Sequence, residues 1–405
     1  MIPLEDARSL IAANIQPRES VALPLAQARG LVLAQDALAP EDLPAFDRSA
    51  MDGYAVALDD DSERFAVVAE IQPGAMPDAT LARGQCARIF TGAAIPGGAS
   101  QVVMQEDVRR EGEWMIPVRR DQRTNIRLRG EDARRGAALV GAGKRLHAGE
   151  LALLAQIGLT EPRVVPAARV IHFATGNELV DPSSTPERGQ IRDTNSTLIA
   201  ALLAESGAQL VHQARCADDL AGLIGTVRDV PEDSWDVLLM SGGGSVGDYD
   251  FGARALDALG FTVHFSRVNL RPGKPLIFAT RGRQAAFIIP GNPVSHFVCY
   301  HVAITLALER FAGAAVDWPL VEVELAEDFP ASSDPRETYW PAHVSLGAGR
   351  LRVRPLIWRS SGDLCGLAGA NALLQVLPGA AAIARGEPGR CLLCGPGSGG
   401  VPPPT

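Results

Sequence analysis

No apolar run in the 405 residues approaches the ~20 consecutive residues of a membrane-spanning helix, so no membrane partner is expected. A basic excess is missing too. The net charge is −9, which argues against nucleic acid as the main partner. Cysteine is scarce, six scattered residues, and suits a reducing cytoplasm. Cys391 and Cys394 form the only C-x-x-C; with no second pair and no histidine cluster, zinc is not expected. The seven histidines hold no H-E-x-x-H, and His296 and His301 read as packing residues. The start, MIPLEDARSLIAANI, carries acids early and lacks a signal-peptide layout, so a cytoplasmic protein is expected. What is present is a globular composition, 46% apolar and 21% charged, at a length that suits about two to four domains.

The organising stretch is residues 236–250, DVLLMSGGGSVGDYD. Its apolar start reads as a strand buried on both faces. The glycines after it let the backbone take positive φ and approach a ligand. Residues 251–259 then have helical spacing. Strand, glycine-rich turn and helix in that order make an anion cradle of free N–H groups and a helix dipole. Two phosphate motifs fail here. Gly242, Gly244 and Gly247 fit G-x-G-x-x-G, but mid-chain, and Arg267 lies about 20 residues on, where a dinucleotide fold has an acid. Asp248-Tyr249 stands where a Walker loop has Lys and Ser/Thr. Asp248 and Asp250 either cap the helix or hold a divalent cation that bridges to phosphate oxygens.

Along the chain, residues 4–15 and 23–34 have helical spacing, punctuated by Pro17 and Pro24. In PEDLPAFDRSAMDGYAV, residues 40–56, Asp52 is either a turn residue or an acid presented on a loop. Residues 63–141 are β-rich, with strands expected at 65–71 and 101–104. Helical spacing returns at 151–157, so the β-rich block reads as inserted into a helical region. From 167 the pattern is βαβ. Strands are expected at 168–173, 209–212, 236–240, 261–268, 276–280 and 285–289, with a closing helix at 294–311. Such alternation implies a doubly wound, mostly parallel sheet with ligands beyond its carboxyl ends. Strands at 320–326, 338–344, 351–355 and 372–376 suggest a small β-barrel or sandwich. The tail is low-complexity and reads as disordered.

Three turns after strands are glycine-bearing and polar: Thr175-Gly176-Asn177-Glu178, residues 241–248, and Pro290-Gly291-Asn292-Pro293-Val294-Ser295. Arg271-Pro272-Gly273-Lys274-Pro275 adds two rigidified cations, and Lys274, clamped between Gly273 and Pro275, reads as an anion contact. Glu178 is either a helix-start acid or a metal or hydroxyl ligand. Ser295 reads as the cap of the last helix. These turns are expected to converge on one pocket.

The strings PAFDRSAMDGYAV, TGAAIPGGASQVV, RGEDARRGAALV, ATGNEL, SGGGSVGDYDF, RPGKP and IPGNPVS, in this order and at compatible spacing, resemble the molybdopterin molybdenumtransferases, the MoeA type that includes the gephyrin E domain. The resemblance implies a multidomain α/β protein: a helical domain (1–46 and 142–166), a β-rich insertion (47–141), an α/β molybdopterin-binding domain (167–312), a C-terminal β-barrel (313–396) and a tail (397–405). It implies insertion of molybdate into adenylylated molybdopterin, with hydrolysis of the adenylate and release of AMP. Magnesium is the implied ion. A homodimer is implied, with the site between the α/β domain of one subunit and the insertion of the other.

By family matching, Asp52, Thr91, Asp132, Glu178, Asp250 and Lys274 fall on positions linked to function, as does one acid of the pair Asp218-Asp219. Asp52, Glu178, Asp250 and Lys274 are the catalytic candidates, with Asp52 assigned to the partner's wall of the cleft. Candidate substrate contacts add Thr175, Gly176, Ser241, Gly242, Gly243, Ser245, Asp248 and Arg271, and from the last turn Pro290, Asn292, Pro293 and Ser295. Glu178, Asp248 and Asp250 are the metal candidates. Arg271 stands where the family often has Lys, Arg48 where Asn is common, and Gly244 where Val is frequent; no acid is lost, so activity is expected. The alternatives are a molybdopterin adenylyltransferase and a peptide-binding scaffold.

Overall fold

Apolar residues on consecutive positions make strands that must be covered on both faces, and the central sheet is built from such runs. The computed structural model describes residues 1–405 apart from Ala79, Asp121, 243–248, 316–319, Ala348 and 396–405, with only the backbone of Tyr249 and Asp250. The chain forms two compact units.

The first unit comprises Met1–Ala34, Gly143–His147 and Glu161–Thr405. Helix α1 (Leu4–Asn14) buries Leu4, Ala7 and Ile11, spaced to line one helix face, in the same core as Phe297 and Phe311. Helical spacing over 23–34 yields one turn only, Leu25–Ala28. Gly30 at φ 77° ends it, and Val32–Leu33 is a strand.

The α/β core follows as β1 (Arg169–Thr175), α2 (Asn195–Glu205), β2 (Gln209–Cys216), α3 (Leu220–Asp229), β3 (Val237–Ser241), α4 (Tyr249–Ala258), β4 (Thr262–Phe265), β5 (Ile277–Arg281) and β6 (Gln284–Ile289). The sheet order is β2-β1-β3-β6-β5-β4. The first four strands are mutually parallel; β5 runs antiparallel to β6, and β4 antiparallel to β5. All five residues of β3 are buried. Leu238 and Met240 face one apolar core and Val237 and Leu239 the other, each large side chain contributing about 1.5–3 kcal/mol by burial. The chain runs from β1 to β2 on one side and returns to β3 on the other, so strand order reverses between β1 and β3. Ligands bind at such a switch point, outside the carboxyl ends.

Helices α5 (Pro293–Cys299) and α6 (Thr305–Phe311) are joined by a π turn, Tyr300–Ile304. There the buried Tyr300 hydroxyl donates to Leu202 O at 2.8 Å and lies 2.7 Å from Ser206 Oγ. The barrel strands are β7 (Leu320–Leu325), β8 (Glu337–Gly347), β9 (Arg350–Pro355), β10 (Ala372–Val376) and β11 (Pro388–Leu393). Their order β8-β9-β7-β11-β10 closes by pairing β10 to β8, giving a five-stranded barrel without free edges. Leu270–Arg271 pairs in parallel with β8 and ties the Arg271–Pro275 loop to the barrel.

The second unit is Gln35–Ala142 with Ala148–Thr160. Its six-stranded sheet has Gly53–Val56 between Gln101–Met104 and Gln85–Ile89, followed by Phe65–Ile71, Trp114–Pro117 and Val108–Glu111. Ala55, Ile89 and Val102 pack on one face, Tyr54, Phe65 and Met115 on the other.

Candidate active site

Beyond the carboxyl ends of β1, β3 and β6 lies a cavity of about 1120 Å³. The turn after β1 contributes Thr175, Gly176 and Glu178; the loop after β2 contributes Asp218; the end of β3 contributes Ser241 and Gly242. Arg271 and Lys274 come from the proline-rich loop, and Pro290, Asn292, Pro293 and Ser295 from the turn after β6. Among the described residues four cationic side chains line it, Arg192, Arg271, Lys274 and Arg336, against two acidic ones, Glu178 and Asp218. The described residues of these turns meet at this one cavity, with Ser241 and Gly242 standing for the 241–248 turn, whose other residues lie outside those described.

Several side chains play different parts from those the sequence suggested. Gly242 does not offer its N–H, which donates to Ile289 O at 3.0 Å. Its role is steric: φ is 100°, and a Cβ would meet Thr175 O at 2.6 Å. Gly176 N likewise donates to Cys216 O at 3.3 Å. The Thr175 hydroxyl donates to Ser241 O at 3.3 Å. Ser295 is not the cap of the last helix; that place is taken by Asn292, with Pro293 in the first turn. Ser295 is 3% exposed and lines the cavity, and its hydroxyl has no hydrogen-bond partner among the described residues. Asp218 and Asp219 separate cleanly. Asp218 lines the cavity, whereas Asp219 Oδ2 accepts from Gly222 N at 2.7 Å and caps α3.

The two loop cations differ. Arg271 Nη1 lies 3.0 Å from Asp334 Oδ2, which also receives Arg336 Nη2 at 2.8 Å. Those guanidiniums, Arg336 foremost, hold the Asp334 carboxyl down at about 2. The trio therefore carries one net positive charge. Lys274 is exposed and has no ion pair among the described residues. It is also one of only two lysines in the chain, with Lys144, among 38 basic residues. That count is a sequence signal in itself: a chain that otherwise uses Arg keeps Lys at this position.

Glu178 lies at the cavity margin with its carboxylate unbonded to other described residues. Gly243, Ser245 and Asp248 lie outside the described residues, as does the side chain of Asp250. Among the described residues no group of three or more His, Cys, Asp or Glu gathers as a metal site. Cys391 and Cys394 are buried in different apolar cores.

In the second unit Asp52 and Thr91 are brought together. Asp52 Oδ1 accepts from Thr91 N and Thr91 Oγ1, both at 2.7 Å, and these bonds hold its carboxyl below the usual range. Asp132 pairs with Arg127. Gly53 has no room for a Cβ, which would fall 2.0 Å from Val103 O, so the residue after Asp52 is sterically bound to be glycine.

Sequence reasoning missed the barrel's share of the cavity: Arg336, Trp358, Ser360 and Ser361. Ser361 is bolted to the turn after β6, accepting from Asn292 Nδ2 at 2.9 Å through its hydroxyl and from Val294 N at 3.0 Å through its carbonyl. No motif announces these residues, which reach the cavity only through barrel closure.

A cation-rich cavity at the switch point of a doubly wound sheet defines an α/β protein built to take an anionic small molecule. The chain matches the MoeA N-terminal region (domain I and II) over residues 2–158, a probable molybdopterin binding domain over 172–310 and the MoeA C-terminal region (domain IV) over 322–388. A relative from Nostoc sp. named molybdopterin molybdenumtransferase is 35% identical over 373 residues, 89% of this chain and 85% of the relative. One of the same name from Staphylococcus aureus is 30% identical over 387 residues, 93% of this chain and 92% of the relative. The crystal structure of a molybdopterin biosynthesis moeA protein from Pyrococcus horikoshii superposes with a TM-score of 0.81 at 27% identity, covering 97% of this chain and 100% of that one. The chain belongs to the molybdopterin molybdenumtransferase family, and is an enzyme of the transferase class in molybdenum cofactor biosynthesis.

Proposed function

We propose that the chain inserts molybdate into adenylylated molybdopterin, hydrolysing the adenylate and releasing AMP. The observation that carries this reading is the excess, among the described residues, of cationic over acidic side chains in one cavity at the sheet's switch point. Both substrates are anions. Lys274 and the Arg271–Asp334–Arg336 trio would hold their oxygens, and the Ser295 hydroxyl, without a partner among the described residues, would donate to one of them. Glu178, with Asp248 and Asp250, would hold Mg²⁺, since hard carboxylate oxygens suit it. When bound, that ion would neutralise charge as the phosphoanhydride opens. Trp358 and the proline-rich walls would limit water. Neither the adenylyltransferase nor the peptide-scaffold alternative is favoured, because the similarity to relatives named molybdenumtransferases runs over most of the chain.

The four-domain division, a cytoplasmic location and a homodimer with Asp52 facing the partner's cavity belong to the same proposal. The experiment is AMP release from adenylylated molybdopterin with and without molybdate. We expect release to require molybdate; equal release without it would remove the insertion step.

A further inference from the structure

Beneath the cavity floor lie three buried polar side chains that substrate contact does not explain: His172 on β1, Ser241 at the end of β3 and His296 on α5, at 0%, 2% and 0% exposure. Ser241 Oγ is 2.6 Å from His172 Nε2 and 2.6 Å from His296 Nε2. One hydroxyl thus bridges two imidazoles. It has one proton, so it can donate to only one of them.

The direction of each bond follows from the two ends. Gln213 Nε2 lies 3.1 Å from Ser196 O, a carbonyl that can only accept, which fixes the amide nitrogen there. The same nitrogen is 2.9 Å from His172 Nδ1, which must therefore accept. His172 then carries its proton on Nε2 and donates to Ser241 Oγ. At the far end His296 Nδ1 is 3.3 Å from Asn292 O, again a pure acceptor. His296 therefore carries its proton on Nδ1, and its Nε2 accepts from the Ser241 hydroxyl. Every link has one donor and one acceptor, and both rings are neutral. Burial favours the same state, lowering His172 to about 3 and His296 to about 4; Asp193 is a nearby charge acting against this at His296. A proton added to His172 would set donor against donor at Gln213, and one added to His296 would do the same at Ser241.

We propose that Gln213, His172, Ser241, His296 and the Asn292 carbonyl form a one-way, uncharged hydrogen-bond chain that positions the Ser241–Gly242 turn and the Asn292 peptide under the bound anions. Ser241 and the two histidines are positioning residues, and the Ser241 hydroxyl is committed to the imidazoles rather than to substrate. Asn292 carries the effect onward: its side chain holds Ser361 of the barrel wall. Asn195 Nδ2, donating to Gly291 O at 2.7 Å, braces the same turn from α2. The proposal rests on the cavity being the substrate site.

Its test has two independent readouts. Nitrogen-15 spectra of the histidine-labelled full chain at pH 7.5, assigned with His172→Gln and His296→Gln, should show His172 protonated at Nε2 and His296 at Nδ1. Either opposite tautomer, or a doubly protonated ring, overturns the chain. In molybdate-dependent AMP release, His296→Leu should raise KM for molybdate at least tenfold while kcat changes less than threefold. His296→Gln, whose amide oxygen can accept from Ser241, should stay within threefold of the parent KM. Should the leucine variant not fold, Ser241→Ala with the glutamine variant decides the point, with at least a fivefold rise in KM expected for the former. Unchanged KM in the variants that break the chain overturns the positioning role. Absence of any molybdate-dependent reaction in the parent protein instead defeats the functional reading, while the tautomers still report on the chain.

Discussion

Asp218 and Asp219 are adjacent carboxylates with unrelated duties, one at the cavity and one capping α3. Asp219→Ala should lower unfolding free energy by about 1 kcal/mol, the usual loss of a helix cap, with little effect on molybdate-dependent AMP release. Urea unfolding and the turnover assay read the two consequences separately. No pattern in the sequence distinguishes the pair, since either acid could precede that helix. Lys274 is the opposite case. Its confinement between Gly273 and Pro275 made it legible, and the structure adds its place in the cavity.

Buried histidines give the residue scale a pH dependence. Burial lowers His172 to about 3, His296 to about 4 and His301 to about 3, from an ordinary value of 6.5. Between those values the unfolded chain binds protons that the folded one refuses. Their contribution to stability is therefore complete above 6.5 and is lost as pH falls below it, by about 1.4 kcal/mol per pH unit for each ring. Asp181 and Asp334, both held near 2, lose their contribution only at lower pH, so the interval from 6.5 to 4.5 isolates the histidines from those two. Melting temperature should drop steadily through that interval, and a flat profile would contradict neutral buried rings.

At the scale of elements, loops rather than strands fix the site. Gly273 has φ 118°, and a Cβ there would meet Cys299 Sγ at 2.6 Å and Leu270 Cδ2 at 2.9 Å. Gly273→Ala should cost about 1–3 kcal/mol and displace Lys274, raising KM for molybdate more than it changes kcat. A circular-dichroism melt alongside the kinetics checks both halves. The α/β strands were legible because continuous apolar runs have few other uses. Residues 23–34 misled because helical spacing persists across Gly30, where the chain turns instead. Strand β11 was missed because Pro388 and Gly389 resemble a turn, although proline is tolerated at a strand's first position. Arg336 and Ser361 were illegible for a different reason: they reach the cavity through closure of β10 on β8, a long-range pairing no local pattern encodes.

For the whole molecule, the proposed homodimer makes a quantitative expectation. If Asp52 of one subunit serves the cavity of the other, Asp52→Ala and Lys274→Ala are each inactive alone. Heterodimers of the two contain one intact site, so an equimolar mixture after subunit exchange should regain about a quarter of parental activity. No recovery, with exchange verified by mass spectrometry, would place both residues in the same subunit's site.

The scarcity of lysine has a practical consequence. Reductive methylation with isotopic formaldehyde would tag two side-chain ammonium groups and the chain's own α-amine, and nothing else. One tag would stand in the cavity at Lys274, a native reporter whose resonance should shift as oxyanions are titrated, with no engineered label required.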